Sequence, residues 1–242
     1  MISQFVAAGQ AAIRRSQRST GSVMHDAIEG VRYVTRHKGI GPIMLFAATV
    51  GMLLRAVPEM LPPYVDHLFG HGAEGLATLA SAMGCAALVG ATYVAIRGRL
   101  QGLTQVALLA GLGLALAGAC FAATHWFPVG VIAIAGMGMA TTMHGISIQP
   151  LLQSSCSPSM GGRVLSLWGM ITRAAPAMGA LIYGAASEVV GLQIPVLVGS
   201  APCLTMWVRT WRRRASIAAA LEARDSVDTR ARPILLRQSR VT

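Results

Sequence analysis

Apolar residues in this chain gather into six runs, at residues 40–61, 75–96, 103–124, 129–152, 163–187 and 192–211. Each run is about twenty residues long. At about 1.5 Å per residue that is enough to cross a hydrocarbon core of roughly 30 Å. The pattern predicts an all-α fold: a polytopic bundle of six transmembrane helices over residues 40–211. A polar lead-in (1–39) precedes it and an Arg-rich, solvated tail (212–242) follows. Within the lead-in, Ala27, Ile28, Val31 and Val34 recur at helical spacing. This predicts an amphipathic helix over 26–36, lying on the membrane surface. Pro58, Pro62 and Pro63 are expected to end the first span, since proline removes a backbone donor and clashes with the preceding turn. His125, Trp126, Phe127 and Pro128 close the third with an interfacial aromatic pair.

The charges in the connections alternate. The lead-in carries Arg14, Arg15, Arg18, Arg32, Arg36 and Lys38, while the loop near 62–74 has no basic residue and carries Asp66 and Glu74. Arg97 and Arg99 lie in the second loop, Arg163 ends the fourth, and the third and fifth have none. The tail is basic from Arg209 onward. Lys and Arg are retained in the cytoplasm on insertion, so both termini are expected there, in a multi-pass protein of the inner (plasma) membrane.

Composition agrees with a lipid-embedded chain. Hydrophobic residues make up 54% and charged residues 12% of the 242, about half the charge of a soluble domain. Mean hydropathy is +0.57. The net charge of +11 invites a nucleic-acid reading, but no nucleic-acid partner is expected, because aromatic residues are not interleaved with a basic patch. Cys85, Cys120, Cys156 and Cys203 are widely spaced within or beside apolar runs and read as small hydrophobes, with no metal site. Residues 1–12 lack a preceding basic region, so a signal peptide is not expected. They read equally as the end of a truncated helix or as an ordinary disordered N-terminus.

Of the 20 basic residues, 18 lie outside the apolar runs or at their edges, and only Arg55 and Arg173 fall well inside them. Charge at mid-bilayer costs about 2.5–3.5 kcal/mol even on lenient scales, so each should face protein or water. Arg173 is expected near the midplane on the bundle interior, beside a kink at Pro176 that frees a backbone carbonyl. It reads as a substrate or coupling residue, or as a structural ion pair. Glu59, four residues on from Arg55, is its expected partner. His144 sits mid-span and reads as a satisfied buried histidine or a proton relay. Small residues four apart, at Ala86/Gly90, Gly113/Ala117, Ala175/Gly179 and Ala180/Gly184, support close helix packing. Hydrolase and nucleotide-binding motifs are missing, and the single Lys38 precludes a P-loop. The chain is therefore expected to be neither an enzyme nor a cofactor binder.

The stretch from Gly162 to Gly184, with Arg163, Arg173, Pro176 and Gly179 in order, resembles the eleventh helix of major facilitator exporters of the enterobactin-exporter and macrolide-efflux type. Glu29 to Lys38 resembles the segment before the seventh helix, and Arg55 to Tyr64 the end of that helix. The resemblance spans about residues 27–205. It implies the C-terminal half of a twelve-helix secondary transporter, one repeat half of that fold. Its partners would be the lipid bilayer, a second six-helix half (another chain or a homodimer) and a small siderophore-like or amphiphilic substrate. The loop Arg97-Gly98-Arg99 departs from the family by lacking an acidic gating residue. Alternatives are a six-helix scaffold or accessory subunit, and a non-functional remnant.

Overall fold

The computed structural model describes residues 20–157 and 160–222, with side chains from residue 28 onward. Residues 1–12, the arginines at 14, 15 and 18, and the tail beyond 222 lie outside the described residues. Among the described residues every element is helical: α1 (Thr20–Arg36), α2 (Ile40–Leu53), α3 (Gly72–Arg97), α4 (Leu103–Ala123), α5 (Phe127–Ser155), α6 (Gly161–Val190), α7 (Gln193–Arg212) and α8 (Arg214–Leu221). Five helical segments are long and apolar enough to cross a membrane: Ile40–Phe69, α3, α4, α5 and α6. The expected sixth run is the 20-residue α7. It is less apolar, because Gln193, Ser200 and Arg209 dilute it.

The first span runs further than the prolines predict. Pro58 cannot continue α-helical bonding, and the chain shifts at Leu54–Ala56 into a 3₁₀ turn, Val57–Met60. A one-turn helix, Leu61–Tyr64, and a π turn, Val65–Phe69, carry the segment on to Gly70. The prolines therefore break the segment without ending it. The break leaves the Leu53 carbonyl without its helical donor, since the Val57 amide turns to Leu54 instead. The Tyr183 hydroxyl of α6 donates to that carbonyl at 2.6 Å. A half-buried backbone acceptor is thus satisfied across two helices.

α2 and α6 cross at the predicted Ala175/Gly179 pair. A side chain at Gly179 would strike the Met52 carbonyl and Ala56, and Ala175 lies 3.7 Å from where a Gly51 side chain would begin. Gly90 and Gly138 make the equivalent close approach between α3 and α5. Gly184 touches nothing beyond its own helix, so the Ala180/Gly184 pair does not serve as a crossing point.

Two apolar clusters fill the bundle. One holds Phe46, Leu54, Tyr64 and Phe121. The other holds Ile40, Ile43, Leu103 and Leu152 at the end of the bundle that carries Lys38, Arg97 and Arg163, here termed the basic end. α8 corrects the expectation of a wholly solvated tail: Ile217 and Leu221 are buried in that second cluster. α1 is amphipathic as predicted and is tied to α6 by an Arg163–Glu29 ion pair at 2.6 Å. Its apolar residues divide, however: Val34 is buried, whereas Ile28 and Val31 are exposed.

Candidate functional site

The predicted site residues fall at three separate places. Arg173 stands on the exposed face of α6 with Ala174 and Ala177. At about 100° per residue, Ala175 and Gly179 lie roughly 200° and 240° round the helix from it. Those two face α2, so Arg173 points away from the bundle. This corrects the expectation that it faces the interior: the smallest residues of α6 are used for the α2 crossing, and the arginine is left on the opposite side. Pro176 is half-buried, and α6 stays helical through it. The carbonyl it deprives of a donor is that of Thr172. The Thr172 hydroxyl itself donates back to Trp168 and Gly169.

Arg55 is half-buried in the break after α2, where its amide bonds to the Val50 carbonyl. Glu59 is exposed. Among the described residues no ion pair joins them, which corrects the expected i, i+4 bridge. The physical reason is the break itself: the two residues do not share a regular α-helix, so the four-residue spacing no longer stacks their side chains.

His144 is buried, with 1% of its surface accessible. Its Nδ1 lies 2.9 Å from the Ala107 carbonyl of α4, and its ring packs edge-on to Phe46 with centroids 5.4 Å apart. Nε2 has no hydrogen-bond partner. One turn toward the basic end, the Ser147 hydroxyl on α5 and the Thr104 hydroxyl on α4 are also buried and unpartnered. Antiparallel packing that pairs Ala107 with His144 sets Thr104 level with Ser147. The three polar side chains form a seam between α4 and α5. Buried polar atoms left unpaired are costly, so such a seam is a place for a water or a transferable proton.

No known protein family, curated protein or solved structure matches the chain.

Sequence reasoning missed three groups. Ser147 was within reach, because its i+3 spacing puts it on the face of His144. Thr104 was not, because its place opposite Ser147 depends on the α4–α5 register. Trp207 lies near the end of the sixth run, and nothing in the sequence marks its partner. Its Nε1–H donates to the Leu108 carbonyl at 2.9 Å and holds α7 against α4.

Proposed function

We propose that the chain is a six-helix membrane unit serving as one half of a secondary transporter of the major facilitator type. Its basic end faces the cytoplasm of the inner membrane, and its substrate is a small amphiphilic or siderophore-like molecule that it exports. The observation that carries this reading is the position of Arg173. It lies twelve residues into the 30-residue α6, about 18 Å from the helix start, and it faces out of the bundle among alanines. Against hydrocarbon it would cost several kcal/mol. A second six-helix unit facing α6, with a hydrated cleft between them, removes that cost. It also places a cation where a translocated anion or a coupling carboxylate would pass. α3 supports the same reading: with α6 it is the least covered of the five apolar spans.

The proposal is tested by reconstituting the chain in vesicles with and without a complementing six-helix half. Proton-driven accumulation of a fluorescent amphiphile is the readout. Efflux is expected only with both halves or with a dimer of this chain. Efflux by the chain held as a monomer would contradict the proposal. Absence of efflux with every partner half would favour the scaffold or remnant readings.

A further inference from the structure

A cavity of about 860 Å³ opens on the flank of the bundle at its basic end, among α1, α2, α6 and the end of α7. That volume is in the range of small-molecule sites, roughly 300–1,000 Å³. Its wall is apolar, formed by Val34, Met44, Leu45, Ile171 and Met206. Its rim holds Arg209, Arg212 and Arg213. Leu45 is 59% exposed, so the apolar wall continues out onto the flank of the first span.

We propose that this cavity binds one anionic phospholipid, with the phosphate on the three arginines and an acyl chain against Leu45 and Ile171. Charge is the first argument. Among the described residues none of the three arginines has an ion-pair partner. The nearby described acids are already engaged: Glu29 on Arg163, and Glu222 on the Gly102 and Thr104 amides. Side-chain chemistry is the second. The planar guanidinium binds phosphate through two parallel N–H bonds, which an ammonium cannot do. Position is the third. The cavity lies where the span Ile40–Phe69 begins, at headgroup depth, and basic pockets between helices at that depth suit anionic headgroups. A soluble phosphate would leave the apolar wall unused. The inference requires only that the bundle spans a bilayer, so it stands or falls separately from transport.

The test uses the full 242-residue chain in non-ionic detergent. Native mass spectrometry measures retention of phosphatidylglycerol, of phosphatidylcholine with the same chains, and of glycerol 3-phosphate without chains. One phosphatidylglycerol per chain should be retained, at least tenfold better than either comparison molecule. Each Arg→Gln change at 209, 212 or 213 should weaken retention about fivefold. Ala48 also lines the wall; Ala48→Phe, which puts a ring into the acyl-chain space and leaves the rim intact, should weaken retention at least fivefold. Arg→Lys at all three positions keeps the charge and guards against a folding defect; it should retain phosphatidylglycerol over phosphatidylcholine, with reduced affinity. Equal retention of the two phospholipids would overturn the proposal. So would tight binding of glycerol 3-phosphate, or retention undiminished by the Gln and Phe variants.

Discussion

The Glu222 carboxylate closes the N-terminus of α4 from the far end of the described chain: its Oε1 accepts from the Thr104 amide at 3.1 Å, and its Oε2 from the Gly102 amide at 2.7 Å. Helix N-termini leave amide donors unpaired and carry a partial positive charge, so a carboxylate there gains twice. The Ser155 hydroxyl donates to the Leu221 carbonyl at 2.9 Å, fixing α8 beneath α5 as well. Glu222→Ala should lower stability by about 1–2 kcal/mol, read as a lower Tm in detergent. Glu222→Gln should recover part of the loss, because it keeps an acceptor but not the charge. An unchanged Tm in both variants would show the cap to be inert.

A second cap makes stability depend on pH. His37 Nδ1 accepts from the Gly39 and Ile40 amides, each at 3.2 Å, at the start of α2. Desolvation by burial lowers the pKa of this ring below its ordinary 6.5. Above pH 6.5 the imidazole is neutral in both folded and unfolded states and the cap is complete. As pH falls through the folded pKa, the unfolded chain takes up the proton first, so stability is lost. The Tm of the native chain should therefore fall below pH 6.5 more steeply than that of His37→Asn. Parallel profiles would contradict this.

The α2–α6 crossing gives a steric prediction. Gly179→Ala forces a methyl against the Met52 carbonyl and should cost about 1–3 kcal/mol, with loss of folded yield. Gly184→Ala meets open space and should leave Tm within about 0.5 kcal/mol of the native chain. Similar effects at the two positions would remove the argument that Gly179 is selected by packing.

Arg173 makes no contact that the bundle requires, so Arg173→Ala should express and fold normally. In a transporting pair it should reduce efflux at least tenfold. Arg173→Lys should restore part of that if charge alone matters, and little if planar bidentate contacts matter. Collapse of folded yield in both variants would make the residue structural, and the site assignment would be withdrawn.

Helix positions were legible in the sequence because apolar runs of this length have few alternatives, and α1 was legible from the spacing that ends at Val34. The Ala175/Gly179 crossing was legible because small residues mark where backbones meet. What the sequence withheld depends on register and on breaks. Arg55 and Glu59 look like a one-turn pair until Pro58 disrupts the helix between them. Arg173 looks like a core residue until the α2 crossing turns α6 the other way. Glu222 belongs to a tail whose composition reads as solvated, and only the fold reveals the open helix end it reaches.

The proposed six-span unit with its basic end in the cytoplasm needs α7, the least apolar of its six long helices, as a crossing. Glu222 can reach Gly102 only if α7 returns the chain to the side on which α4 begins. Topology reporters fused after Gly98 and after Glu222 test this directly, with Thr124 and Glu188 as opposite-side references. The account predicts cytoplasmic signals at Gly98 and Glu222 and external signals at Thr124 and Glu188. An external signal after Glu222 with a cytoplasmic one after Gly98 would mean five spans and would contradict it.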